Sequence, residues 1–593
     1  MKRLTAPLFG LVLIFSCLIF LERTPQFTSA KQIVHSQSVP PEFLVYGTLG
    51  KIMKQLNFVY AVPRDFSLYP SHPTGMSALR LRLRQKSPLL EKYQFNTNPN
   101  KMQSLPSSLA ISESDFKDGW PLLSIVVDED NLYNPEKGIL IHRLEKGQDW
   151  ERLAYVSYYE DGQLKFASGA GLRIHGGDES RRKPRRERSF RLYFRNVYGI
   201  NHIEPGVLFG PESKPIKHLV VGRDSQKHMP FIANAAFEIA RRIGATVPES
   251  KPVLLFLNGD LKGTYFISEH VHQRQWAYHI GHENFAFYRL EHVTYPFFRL
   301  MRDRSDDRSL RLYRELGMRA MDLDKKMTMK EAGKLVDLDN LSRQIISIVF
   351  CGTTDWRQGA AVLDTNEPEA KWFWINWDMN ESIMDFRRES GWIEGNQRVA
   401  WKQEGFELIL AGKNWYIQNP KVRHMRRWDI RAILFSRLIK ESPEYREYFV
   451  RLMMDILNHR LTIDFFQPLV DKYKKLANAY GFKKSAFIRI ERYVQNRPTF
   501  LRKQIQQYFS QGKCYPCEVT GPDEIKYEID SHPESSGYQG WYFKDKIITV
   551  KILKHAEGIF SHWVVNGKRV EGADLEHRVF SKTNIYPVFK SQD

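Results

Sequence analysis

What most constrains this chain is a change of hydrophobic period along its length. Between residues 120 and 268, apart from one helical stretch at 228–243, the apolar residues come in short runs or alternate, as strands require. From residue 341 to 509 they recur at helical spacing over long segments. An all-helical bundle and an all-β barrel are both excluded for the whole of it. The pattern predicts an α+β domain in two lobes, sheet-rich first and helical second.

Residues 122–127 read as a buried strand and 154–159 as another, with Glu160-Asp161-Gly162 as a hairpin signal. Residues 171–177 are a strand entering the Gly176-Gly177 turn. Residues 228–243 form an amphipathic helix ended by Gly244. Residues 253–257 and 263–268 flank Asn258-Gly259-Asp260 as a β-hairpin, and Glu269 follows directly. An acid there is either an ion-pair partner in a site or a helix-start residue favoured by the dipole. The later helices are expected at 341–350, 430–440, 443–461, 465–480 and 487–509. From about residue 520 the pattern returns to strands (541–543, 547–550, 562–565, with the Asn566-Gly567 turn). Residues 520–593 are therefore expected to form a β-sandwich-like module that binds or spaces.

The main domain is expected over 119–510, preceded by a 31–118 extension rich in Pro, Ser and Asn. Lys2 and Arg3 precede an apolar run at residues 4–21, which reads as a secretory signal or an uncleaved signal anchor within residues 1–30. The anchor reading puts the rest of the chain outside the cytoplasmic membrane, in the cell envelope. Of four cysteines, Cys514 and Cys517 form Cys-Tyr-Pro-Cys. No second such pair and no nearby His pair completes a zinc site, so in an oxidising compartment a small structural disulfide is expected.

A net charge of +20 calls for an anionic partner, without choosing among nucleotide, nucleic acid, anionic lipid and acidic substrate. Residues 181–195, RRKPRRERSFRLYFR, hold eight basic residues and one acid. Their strand alternates: Arg188, Phe190, Leu192 and Phe194 share one face, Arg191, Tyr193 and Arg195 the other. Glycine amides and guanidinium groups together make an anion site for phosphate. The plain alternative is a solvated loop and an ordinary strand. A nucleic-acid groove is weakly supported by a single basic segment.

Residues 352–385 set Asp355 and Asp378 at the two ends of an expected hairpin, in aromatic surroundings. One carboxylate can take a proton there while the other holds a cation. The bland reading is a turn cap and a solvated loop acid.

Taken in order, these blocks resemble the CotH (spore coat protein H) kinase family, secreted or envelope proteins with an atypical protein-kinase-like fold. Leu123-Ser124-Ile125-Val126-Val127-Asp128 is similar to its opening strand, and Trp150-Glu151-Arg152 follows as in many bacterial members. Leu172-Arg173-Ile174-His175-Gly176-Gly177 with Arg188-Ser189-Phe190-Arg191-Leu192 resembles "RIxGxSS…KKSYRL". Leu257-Asn258-Gly259-Asp260 through Glu269 resembles "LNGEYLGxYxLxE", and Trp377-Asp378-Met379-Asn380 resembles "WDLD".

The resemblance implies phosphoryl transfer from ATP with Mg²⁺ or Mn²⁺ to a hydroxyl acceptor, of protein origin and unidentified. It implies Asp355 as the catalytic acid, Asp378 as the metal-holding acid, and Arg188, Gly176, Gly177 and Glu269 around the nucleotide, with Glu269 paired to the phosphate-binding cation. The family's lysine is here Arg188, its second metal ligand is matched only by Gln358, and the last acid of "WDLD" is Asn380, with Asp385 beyond it. These departures leave a second reading open: a pseudokinase, or a non-catalytic envelope protein that binds an anionic ligand or partner.

Overall fold

The computed structural model describes residues 119–176, 181, 188–223, 231–290, 307–322, 324–353, 356, 358–380, 382–383, 400–410, 429–482, 485–553 and 560–590. The expectations for residues 1–118, Gly177, Asp355 and Asp385 fall outside them. The chain divides into two units, one of residues 1–78 with 317–325 and one of 79–316 with 326–593. Every element named below belongs to the second unit.

Seven strands close a barrel: β1 (Leu122–Val126), β2 (Arg152–Glu160), β3 (Gln163–Ile174), β4 (Phe190–Tyr193), β5 (His218–Arg223), β6 (Ser250–Leu257) and β7 (Asp260–Glu269). The spatial order is β1-β2-β3-β4-β5-β7-β6, and β6 closes the ring by pairing parallel with β1. Alternation explains the closure. Leu172, Ile174, Phe190, Leu192, Leu219, Val221, Val253, Leu255 and Ile267 all point into one buried core, while their neighbours along each strand face outward. The β6–β7 hairpin turns at Asn258 and Gly259, both at positive φ, as a two-residue turn requires.

Between β5 and β6, α1 (Ile232–Ile243) ends on left-handed Gly244, and α2 (Gln273–Ile280) follows β7. A three-stranded sheet is built from β8 (Phe285–Leu290), β9 (Gly359–Asp364) and β10 (Phe373–Ile375), in the order β10-β9-β8. The central helix α3 (Leu338–Cys351) holds its edge through buried amides. Asn340 exchanges hydrogen bonds with both the amide and the carbonyl of Trp374, and Gln344 donates to the same carbonyl. The rest of this region is helical: α4 (Ile430–Glu441), α5 (Pro443–Asp455), α6 (Ile463–Ala479) and α7 (Ser485–Tyr508). The expected single helix over 443–461 is interrupted by a π-turn at Ile456–Arg460.

The C-terminal strands are β11 (Cys514–Val519), β12 (Lys526–Ile529), β13 (His532–Ser535), β14 (Tyr538–Phe543), β15 (Ile547–Ile552), β16 (Phe560–Val565), β17 (Lys568–Val570), β18 (Asp574–Arg578) and β19 (Thr583–Phe589). They form a five-stranded and a four-stranded sheet around one core centred on Trp563, Tyr527 and Ile548. The expected Cys514–Cys517 disulfide is not formed, and both thiols are free. The two cysteines lie three residues apart on the single strand β11. That separates their Cα atoms by about 10 Å, well past the roughly 7 Å a disulfide spans.

The molecule is thus a mixed helix-and-sheet protein. Among the described residues no helix is long and apolar enough to cross a membrane, and the 4–21 segment lies outside them.

Candidate functional site

The outward faces of β3, β4 and β5 carry charge, and together they line a cleft of about 830 Å³. Arg173 comes from β3, Arg191 and Tyr193 from β4, and His218 from β5; Arg195 follows β4. His270 and His272 follow β7, Arg274 stands on α2 and Arg289 on β8. Arg181, Gly176 and the 145–148 segment complete the wall. Among the described residues, six arginines and Lys146 thus line the cleft against one carboxylate, Glu145.

A second acid, Glu151, lies beneath this surface with its side chain fully buried. It receives hydrogen bonds from Arg173 (Nε, 2.8 Å), Arg195 (Nε, 2.9 Å) and Tyr198 (Oη, 2.9 Å). The guanidinium of Arg173 also lies 4.1 Å from the centroid of the Tyr193 ring. Gly171 makes room for this carboxylate, since a Cβ there would stand 2.5 Å from Glu151 Oε1. The two arginines are therefore fixed in place by one carboxylate before any ligand arrives.

Histidines form the other side. His218 and His270 have ring centroids 5.9 Å apart, and His270 stacks on His272 at 5.3 Å. Burial first, then His272 and Arg191, holds His218 well below its ordinary value. Burial, then Arg191, does the same to His270. Burial with Arg191 and Arg289 brings His272 down to about 4. All three rings are accordingly neutral at pH 7. Both ring nitrogens of His270, Nδ1 of His218 and Nε of Arg191 are buried with no hydrogen-bond partner among the described residues. Buried polar atoms are normally satisfied; here several unsatisfied ones gather at one cationic cleft. That donor set fits an anion with several oxygens and disfavours a cation.

One wall residue of the cleft, Arg289, touches the β9–β10 hairpin. Arg289, opposite Ala360 in the β8–β9 register, stacks on the ring of Trp377 at 4.4 Å. The Trp377 indole Nε1 donates to Gln358 Oε1 at 3.4 Å. Asp378, half-buried, follows Trp377 directly.

A separate cluster lies where the π-turn meets the sandwich. Ligand atoms of Asp455, His459 and His532 gather within 4.8 Å of one another. The two imidazoles, however, are stacked at 4.3 Å with planes 15° apart. Metals are bound along a ring's in-plane lone pair, and two near-parallel stacked rings do not aim theirs at a common point. Each ring is instead bonded to a carboxylate: His459 Nδ1 to Glu534 and His532 Nε2 to Asp455, both at 2.7 Å.

The family model described as CotH kinase protein matches residues 231–507. This match, over just under half of the chain, supports a CotH family protein. The match takes in β6–β10 and α1 to α7 almost entirely, and with them Glu269, Gln358 and Asp378. No curated protein matches the chain. A solved complex of the Shewanella oneidensis MR-1 toxin–antitoxin system HipA, HipB and its operator DNA shares 10% identity, over 52% of this chain and 66% of that one, just under two thirds. Its TM-score of 0.21 is too low to bear on the fold.

In this chain the residues singled out from sequence are distributed as follows. Gly176 lines the cleft. Arg188 is buried and donates from Nη1 to the carbonyl of Arg181 at 3.2 Å. Glu269 is buried but does not meet Arg188. Its carboxylate takes hydrogen bonds from His279 (3.0 Å), Gln275 (3.4 Å) and the Glu249 amide (3.0 Å). Register explains this: Leu219 pairs with both Leu192 and Glu269, whereas Arg188 lies four residues before Leu192, about 13 Å along the strand. The structure adds residues that the sequence reading left out: Glu151, Arg173, His218, His270, His272, Arg274 and Arg289. One signal could have found two of them, since His270-Val271-His272 puts both imidazoles on one side of an extended segment.

Proposed function

We propose that this chain is a two-lobed atypical kinase that transfers a phosphoryl group from ATP to a hydroxyl acceptor, with the barrel as one lobe and the helical region as the other. The observation that carries the reading is the cleft: six arginines and unsatisfied buried ring nitrogens converge on one pocket, and Arg289 in its wall stacks on Trp377, the residue before Asp378. ATP supplies the transferable group, and Mg²⁺ or Mn²⁺ neutralises its phosphates when bound.

The chain's own part is binding and positioning. Arg173 and Arg195, set by Glu151, with Arg191 and Arg289, bind phosphate oxygens; the hydrogen-bonding capacity of His270 and His218 points the same way. Asp378 and the amide oxygen of Gln358 are hard oxygen donors of the kind such metals take, and Mg²⁺ needs only one or two protein ligands beside phosphate. Asp355, from its place in the family pattern, accepts the proton of the acceptor hydroxyl. Read as a secretory signal or anchor, the 4–21 segment supports a reaction outside the cytoplasm, with a protein of the cell envelope as acceptor.

Purified full-length chain with labelled ATP and Mn²⁺ tests the reading. Incorporation of label, abolished in Asp378→Ala and Asp355→Ala with thermal unfolding unchanged, is the expected result. The Trp377–Gln358 hydrogen bond and Asn380 in place of an acid favour one other outcome, nucleotide binding without transfer. Thermal stabilisation by ATP with no incorporation would establish that second reading, and no stabilisation at all would sink both.

A further inference from the structure

One side chain grips both ends of the hairpin that carries the two acids. Arg431, in the first turn of α4, is fully buried. Asp429 caps that helix by accepting from the Arg431 backbone amide at 3.0 Å, and holds the guanidinium through Nε at 3.1 Å and Nη2 at 2.9 Å. The rest of the fork faces the hairpin. Nη2 also donates to the carbonyl of Trp356 at 3.0 Å, and Nη1 donates to Oδ1 of Asn376 at 3.2 Å. The guanidinium carbon lies 5.4 Å from the centroid of the Trp356 ring.

These two acceptors stand where the chemistry is expected. Asp355 immediately precedes Trp356, and Asp378 is two residues beyond Asn376. Asn376 is fixed on its other side, with Nδ2 donating to Ser347 Oγ at 3.3 Å and its backbone amide donating to the Thr246 carbonyl at 3.1 Å. Close approach depends on Gly359, where a Cβ would lie 2.6 Å from the Ile375 carbonyl and 3.5 Å from Arg431 Nη1.

A buried ion pair contributes little net stability compared with apolar residues of equal volume. The fold alone therefore does not call for one under this hairpin. Apolar side chains, however, cannot hold a carbonyl on one segment and an amide oxygen on another at fixed separation. A planar fork can, and a lysine ammonium, a single point charge, cannot reproduce it.

We propose that Arg431 is a positioning residue that sets the spacing between the two ends of the β9–β10 hairpin, and with it the place of Asp378, two residues beyond Asn376, relative to the segment that opens at Trp356. The role rests on the kinase reading above, and the test separates the two. Arg431→Lys and Asn376→Ala are made in the full-length chain; the second leaves the Arg431–Asp429 pair intact and serves if the first does not fold.

Both variants are expected to keep the ATP affinity of the cleft, measured by calorimetry, and the KM for ATP. Their kcat falls by about 10²-fold, as a small misplacement of reacting groups does. The Mn²⁺ concentration for half-maximal rate rises roughly tenfold, the usual effect of losing an outer-shell support. Hydrogen exchange reads the clamp without activity: amides at 356–360 and at 374–378 lose protection together. Folded variants with unchanged kcat and unchanged protection overturn the proposal. If the unmutated chain transfers no phosphate, the kinase reading fails, yet loss of protection at both ends still upholds the clamp, and unchanged protection at either end removes it.

Discussion

Three imidazoles decide how the cleft responds to pH. His218, His270 and His272 are held neutral by burial and by the field of Arg191 and Arg289. An anion in the cleft offsets that field, so it raises their pKa values and draws protons in with it. Affinity for an anion therefore increases as pH falls from 8 to 6. In the free protein the sign is opposite. Folded values lie below the ordinary 6.5, so these rings stabilise the fold above pH 6.5 and lose that contribution as pH falls toward about 4, the value for His272. Sulfate is the suitable probe because it does not titrate in this range. Calorimetry in two buffers of different ionisation enthalpy should show net proton uptake on sulfate binding, reduced in His270→Gln. Zero uptake would remove the histidines from the site. The meeting of these imidazoles with Arg191 was not legible beforehand, because it runs only through the β4–β5–β7 register, which no local pattern encodes. The outward face of β4 was legible: Arg191, Tyr193 and Arg195 alternate with core residues at period two, and all three line the cleft.

At the scale of elements, turn chemistry and period carried most of the reading. Asp161-Gly162, Asn258-Gly259 and Asn566-Gly567 all turn at positive φ where hairpins were expected. Hairpin β9–β10 pairs Ala360 with Ile375 and Val362 with Phe373, joining the segments that carry Gln358 and Asp378. Two features escaped. The π-turn at Ile456–Arg460 is set by what it touches: Asn458 exchanges hydrogen bonds with the Trp541 carbonyl and amide, 83 residues away. Cys-Tyr-Pro-Cys looks like a small disulfide loop when its backbone is unknown, but β11 is extended through it, paired with β14 from Cys514 to Val519. Burial first pushes the Cys517 thiol up to about 12, so it is a poor nucleophile as well as a remote one. Dithiothreitol should consequently leave the melting temperature unchanged, and thiol counting under denaturing conditions should find both Cys514 and Cys517 reduced. A drop in melting temperature on reduction would contradict the strand assignment.

For the whole molecule, the sandwich is joined to the helices through a titratable contact. His459 lies on the π-turn, its ring stacked on His532 and on Tyr538. Burial opposes its charge, but Asp530 and Glu534 outweigh burial and bring it up to about 9. Glu534 is the direct hydrogen bond at 2.7 Å; Asp530, at 3.7 Å, acts through charge. Both acids belong to the C-terminal module, and His459 belongs to the helical region. The folded value lies above the ordinary 6.5, so the linkage contributes fully below pH 6.5 and is lost as pH rises through about 9. A shift of this size corresponds to about 3 kcal/mol, enough to weaken a joint supported elsewhere by the Asn458–Trp541 pair and the Lys546–Glu447 ion pair. Limited proteolysis at residues 509–514 should therefore be slow at pH 6.5 and accelerate toward pH 9.5. His459→Gln should be cut rapidly at both, with its pH dependence flattened. Chelators should change neither profile, because the stacked imidazoles hold carboxylates, not an ion. If His459→Gln kept the wild-type dependence on pH, the proton at this joint would not be what holds the module in place.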